Sequence, residues 1–186
     1  GEDHTAKVLI NLEDAYHGAV QNLTLRTPKL EDDGHVRTIE HQLKVKIPKG
    51  IKQGQRIRLA GQGGPGAGGA QPGDLYLNIE FKTHPFYRVE GKDVYLDLPI
   101  APWEMVLGAA IQVPTPEGPV QLKIPPNSKP GQKLRLKGRG IPAETKGDLY
   151  VVLNIALPGA ESEEAKTFYQ QMARDFDFNP RAHLGV

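Results

Sequence analysis

The chain repeats itself, and the repeat decides its architecture. Val45–Gly63 (VKIPKGIKQGQRIRLAGQG) aligns with Leu122–Gly140 (LKIPPNSKPGQKLRLKGRG) at a constant offset of 77, sharing lysine, isoleucine, proline, glycine, glutamine, arginine and leucine positions. Gly73-Asp74-Leu75-Tyr76 returns as Gly147-Asp148-Leu149-Tyr150 at an offset of 74, because the first glycine loop is three residues longer. Leu12–Gly18 is matched by Pro102–Gly108 at an offset of 90, so thirteen extra residues lie in the first copy before Val45. A unit this long and present only twice is no solenoid; it predicts two tandem homologous domains. The boundary is expected near His84-Pro85, giving a first domain over 1–84, a second over 85–160 and a tail over 161–178.

Within each copy the side chains alternate with the period of a strand. Lys44–Ile47 and Arg56–Leu59 alternate polar with apolar around a Pro/Gly/Gln turn and predict a β-hairpin with one solvated face. Leu75–Phe81 and Leu149–Leu157 are more apolar and predict central strands. Leu12–Gly18 and Pro102–Gly108 predict helices of one to two turns, the first capped by Asn11, the second opened by Pro102, both stopped by glycine. One longer helix is expected, from Ser162-Glu163-Glu164 through Ala165, Phe168, Met172 and Phe176 to Asn179-Pro180. The fold class is all-β.

Composition removes several function classes. The 186 residues include no cysteine, which excludes disulfide frameworks, thiol catalysis and thiolate metal sites, and permits a cytoplasmic location. No stretch approaches the roughly 20 consecutive apolar residues of a membrane span, so no membrane partner is expected. Gly1 in place of methionine suggests a fragment or processed product. Gly61-Gln62-Gly63-Gly64-Pro65-Gly66 matches the dinucleotide fingerprint, but the chain then runs on to another strand and not to a helix N-terminus, so no cofactor is expected. The two serines, Ser128 and Ser162, suit a turn and a helix cap. Histidines 4, 17, 35, 41, 84 and 183 lack zinc-site spacing. Asn22-Leu23-Thr24 matches a glycosylation sequon, and nothing else indicates secretion. Nothing supports an enzyme, a metal or a cofactor.

Two patterns remain. Lys44–Arg58 and Lys123–Arg139 each carry six basic residues and no acid, while the rest of the chain is acidic on balance. With Lys44, Lys46, Arg56 and Arg58 on the polar phase of facing strands, and Lys123, Lys133, Arg135 and Lys137 repeating them, each domain is expected to present a basic ribbon. It is either a solvated sheet face or a footprint for phosphates. Near the start, Ala6, Val8 and Ile10 alternate in phase, and Leu23 and Leu25 are placed to lie beside them. This strand is either core or the wall of a groove for an extended peptide.

The paired blocks, the two Gly-Asp-Leu-Tyr returns and the joining segment His84-Pro85-Phe86-Tyr87-Arg88-Val89-Glu90-Gly91-Lys92-Asp93-Val94 together resemble the C-terminal substrate-binding region of DnaJ-like co-chaperones. Without cysteine-rich zinc repeats the chain is similar to the zinc-free class, and Pro99–Glu104 with Phe178-Asn179-Pro180-Arg181 look most like its bacterial, curved-DNA-binding branch. The resemblance implies two tandem β-sandwich-like domains in an elongated arm, and a C-terminal helix that pairs two arms into a homodimer through Phe168, Met172 and Phe176. It implies a client peptide groove in the first domain at Ala6, Val8, Ile10, Leu23, Leu25 and Leu77. The implied partners are unfolded client polypeptides, a second copy, a DnaK-type chaperone reached through a J-domain that this sequence lacks, and DNA for the curved-DNA-binding branch, with nucleoid association in that case. His84-Pro85-Phe86 is not the J-domain triad. Gln21 stands where several relatives carry a lysine at the groove edge, which argues against capture of an acidic chaperone tail.

Overall fold

The computed structural model describes residues 1–186, the side chains of Thr27, Lys29 and Leu30 excepted. In order the elements are β1 (His4–Ile10), α1 (Leu12–His17), β2 (Ala19–Leu30), β3 (Val36–Ile47), β4 (Arg56–Leu59), β5 (Leu75–Phe81), β6 (Tyr87–Glu90), β7 (Asp93–Ile100), α2 (Pro102–Leu107), β8 (Ala109–Val113), β9 (Val120–Ile124), β10 (Lys133–Leu136), β11 (Leu149–Ile155) and α3 (Glu163–Asp175). The sequence repeat is a topological repeat. In the first unit β5 lies between β1, which it pairs in parallel, and β4, antiparallel, and the hairpin β2–β3 forms a second sheet. In the second unit β11 lies between β7 and β10 in the same senses, with hairpin β8–β9. Strand alternation sends Val8, Ile10, Leu75, Leu77, Ile79, Val45 and Ile47 inward in the first unit, and Val94, Leu96, Ile100, Leu149, Val151, Leu122 and Ile124 in the second. Each such burial stabilises by about 1.5–3 kcal/mol.

The expected hairpin between Lys44–Ile47 and Arg56–Leu59 does not form. β3 pairs with β2 and β4 with β5, so the turn between them crosses from one sheet to the other. Alternation reports the phase of a strand and not its partner. The thirteen extra residues of the first copy lengthen a hairpin: β2 and β3 have 12 residues each, β8 and β9 five each. Of β3 only Val45 and Ile47 are buried, so the hairpin runs on beyond the core it covers.

The recurring Gly-Asp-Leu-Tyr motif has the same use twice. Leu75 and Leu149 enter the core. The Asp74 carboxylate accepts from the Gly61 N–H at 3.0 Å and pairs with Arg58 at 2.7 Å; Asp148 accepts from the Gly138 N–H and pairs with Arg135, both at 2.8 Å. The loop N–H is the first cause, and the arginine a further one, that holds each carboxyl below its ordinary range. Gly73 and Gly147 are glycine because a Cβ there would meet the backbone of Glu2 and Lys92. Tyr76 and Tyr150 lie on the outer face, Tyr76 under the Arg56 guanidinium at 4.4 Å and Tyr150 stacked on Tyr95 at 5.1 Å.

The short helices begin where expected, with the N–H of Asn11 donating to Asp14 and that of Ala101 to Glu104. The long helix is capped by Ser162 Oγ, which accepts from the Ala165 N–H at 3.1 Å, but it ends at Asp175 with Phe176 as its cap, short of the expected 178. α1 also reaches into the second unit. The Tyr16 hydroxyl donates to the Arg139 carbonyl at 2.8 Å, while Glu13 meets His84 Nε2, at the boundary between the units, at 2.9 Å. His84 Nδ1 faces the Phe86 N–H at 3.0 Å and so accepts, which leaves Nε2 to donate. Burial above all, then Glu117 and Tyr87, pushes the Tyr16 hydroxyl's pKa well up.

Candidate functional site

The two units differ in how they finish one edge. β7 is flanked by β6, whose Tyr87, Arg88 and Val89 pair with Leu96, Tyr95 and Val94. Its counterpart β1 ends its sheet: among the described residues no strand pairs with its outer side. The side chains repeat the contrast. Leu96 and Val113 are buried in the second unit, whereas Ala6 and Leu23, at the equivalent offsets of 90, are half-buried. Alanine in place of leucine leaves room beside the strand.

The client-site residues named from the sequence divide accordingly. Val8, Ile10 and Leu77 are buried and form the floor; Leu77 sits mid-row between Ala6 and Ile57 and is reached only across them. Ala6, Leu23 and Leu25 are half-buried at the lip. Leu23 and Leu25 belong to the opposite sheet, where they face Leu43 and His41 of β3 in register. Six-residue α1 joins β1 to β2, the strands of the two sheets that carry these residues. Leu43, Ile57 and Leu59, equally half-buried on the inward phase, complete the apolar wall and escaped the sequence reading. Their signal was present in sequence: Leu43 stands two residues before Val45 on the same strand face.

Away from these residues, Phe168, Met172 and Phe176 are exposed at 74%, 47% and 67%, and α3 has no buried residue. The basic residues do not make one ribbon. Lys44 and Lys46 lie on the outer face of β3, and Lys123 on that of β9. Arg56 and Arg58, like Lys133 and Arg135, lie on the other sheet of their unit, and Lys137 follows β10 in a turn. Four of these eight also have partners within the unit: Arg58 on Asp74, Arg135 on Asp148, Arg56 over Tyr76, and Lys133 over Tyr95. The split follows from the failed hairpin, since strands in two sheets of a sandwich present their polar faces to opposite sides.

The repeated β-sandwich unit has a family counterpart: residues 4–158 match the DnaJ C terminal domain family. The chain belongs to that family, which is not one of enzymes. It is 49% identical over 185 residues, 99% of its length, to a protein named curved DNA-binding protein from Coxiella burnetii (strain Dugway 5J108-111). Proteins of the same name from Pseudomonas syringae pv. tomato (strain ATCC BAA-871 / DC3000) and Salmonella arizonae (strain ATCC BAA-731 / CDC346-86 / RSK2980) are each 40% identical, over 98% and 100% of this chain. The chain spans 59% to 61% of the length of these relatives. No helix is long and apolar enough to cross a membrane.

Proposed function

We propose that this chain is the client-holding part of a co-chaperone. It takes extended apolar segments of unfolded polypeptide at the edge between β1 and β2, pairs with a second copy through α3, and delivers clients to a DnaK-type chaperone through a J-domain outside this sequence. The observation that carries the reading is the unpaired edge of β1 beside a half-buried apolar lip, where the second unit has β6, Tyr87 and Leu96 instead. An added strand gains main-chain hydrogen bonds that ignore sequence, and the lip asks only for a large apolar side chain, so binding is weak and promiscuous. Leu25→Asp places a carboxylate against that side chain without a partner. The test is suppression of aggregation of a denatured client by Leu25→Asp protein whose circular dichroism is unchanged. Loss of suppression is expected, and undiminished suppression places the client site elsewhere.

A second reading, contact with duplex DNA, is favoured by one observation: the relatives above carry that activity in their names. Of the basic residues, Lys44, Lys46 and Lys123 suit it best, exposed on the hairpin sheets and without an ion pair among the described residues.

A further inference from the structure

The two copies share a scaffold, so each is a control for the other, and they differ sharply at one corner. There the turn after the edge strand meets the Gly-Asp return and the residues leading into the parallel strand. In the second unit the Ile141 N–H donates to the Lys92 carbonyl, the Gly140 N–H to the Gly147 carbonyl and the Gly147 N–H to the Ile141 carbonyl, all at 2.9 Å. A Cβ on Gly138 would stand 4.0 Å from Lys146 Cδ. The frame of the corner is kept: Asp3, Arg58, Gly61 and Asp74 return as Asp93, Arg135, Gly138 and Asp148 with the same hydrogen bonds. The side chains around it are not kept. Glu2, Ala60, Gln62 and Pro72 of the first unit become Lys92, Lys137, Arg139 and Lys146. Thr5, opposite Tyr76, becomes Tyr95, opposite Tyr150. One acid and three uncharged residues thus give way to four cations, and a second ring is added beside the first.

None of the four cations has an ion pair among the described residues, and Lys137, Arg139 and Lys146 are exposed. Asp148 is taken up by Arg135 and the Gly138 N–H, and Asp93 by the Asp148 N–H, so Glu90 and Glu144 are the carboxylates left to oppose them. Arg135 stands opposite Tyr150 in register, and Lys137 follows two residues on, about 7 Å further along the strand. The Tyr95/Tyr150 stack therefore begins beside the cations. A positive track next to stacked rings matches an unpaired nucleic-acid strand, whose phosphates meet the cations while a base of any identity extends the stack. A duplex keeps its bases in its own stack and would use the cations alone. We propose that this corner, Lys92, Lys137, Arg139 and Lys146 with the tyrosine stack, is a binding site for single-stranded nucleic acid. It is separate from the client edge of the first unit and from the lysines given to duplex DNA above.

Fluorescence anisotropy of short labelled oligo-dT and oligo-U strands with the whole chain tests the site. Each phosphate met by a cation adds about 0.7 to the slope of log affinity against log salt for a single strand. Lys92→Gln, Lys137→Gln, Arg139→Gln and Lys146→Gln together should therefore flatten the slope by about 2.8. Tyr95→Thr, which restores the residue of the first copy, should weaken binding about five- to 150-fold and leave the slope as it was. In the unaltered protein a strand carrying bromouracil should crosslink under ultraviolet light to Tyr95 or Tyr150. Tighter binding of oligo-dT or of oligo-U names the sugar and supports the site in either case. Both variants should still suppress client aggregation as the unaltered chain does, since the client edge lies elsewhere. An unchanged salt slope in the four-residue variant, or crosslinks confined to other residues, would overturn the proposal. So would a duplex bound as tightly as the single strand with Tyr95→Thr silent, because the corner then serves duplex phosphates alone.

Discussion

Gly50→Ala should cost far more than Gly54→Ala, although the two backbones are nearly alike, with φ of 86° and 80°. Both substitutions place a Cβ in the left-handed region, at about 1–2 kcal/mol, offset by about 0.4–1 kcal/mol from the stiffer unfolded chain. A Cβ on Gly54 meets nothing within 4 Å, so that variant should lose about 1 kcal/mol or less. On Gly50 it runs into the Pro142 carbonyl oxygen and stands 3.0 Å from Ala143 Cα, both backbone atoms of the second unit. Backbone cannot turn aside as a side chain can, so the junction must open. Overpacking of this kind costs about 1–3 kcal/mol, and parting the units also forfeits the Tyr16–Arg139 bond, worth about 0.5–1.5 kcal/mol. Urea unfolding with linear extrapolation measures both variants. The excess for Gly50→Ala, about 1–3 kcal/mol, should shrink in a Tyr16→Phe background, where that bond is already gone. Equal losses for Gly50→Ala and Gly54→Ala would refute a tight junction between the units.

Ala6→Leu gives the first unit the leucine that the second has at residue 96; it should weaken client capture in the aggregation assay with little loss of urea stability. Asp74→Asn with Asp148→Asn should lower stability at neutral pH and flatten its acid dependence. Both carboxyls are held low in the fold, so their contribution is present above the unfolded value near 3.9 and lost as pH falls through the folded one; urea midpoints between pH 6 and pH 2.5 would reveal it. If duplex DNA is bound through β3, Lys44→Gln with Lys46→Gln should reduce the slope of log affinity against log salt by about 1.8 per arm. The ion-paired Arg58→Gln should change it by less.

The repeat, the strand faces, the inward residues, the short helices and the Ser162 cap are legible because each depends on local spacing. Pairing is not local, so the hairpin between Lys44–Ile47 and Arg56–Leu59 was expected and is absent. That error carried over to charge: a ribbon built from Lys44, Lys46, Arg56 and Arg58 needed strands side by side, and they lie in different sheets. The partners of Arg58 and Arg135 were also hidden, since Asp74 and Asp148 stand 16 and 13 residues away in the sequence. For the proposed client site, the inward phase of Ala6, Val8, Leu23 and Leu25 was readable, but residues of a core and of a groove alternate identically. The discriminating feature is β6, a four-residue strand that adds to the second sheet and has no counterpart beside β1.

The register of β1 also governs when the chain can close. His4 pairs with Leu75 and Ile10 with Phe81, in parallel, so β1 waits for a neighbour 71 residues later. At about 5–20 residues per second of synthesis, that interval is roughly 4–14 seconds, during which Ala6, Val8 and Ile10 lack the strand that covers one side of them. β7 waits again for β11, with Val94 opposite Leu149, 55 residues on. Pairings this distant close slowly because the loop entropy precedes any contact that offsets it. While nascent, the chain thus holds an unpaired apolar strand of the kind the proposed client edge would receive, and under that proposal it would itself be a client of a finished copy.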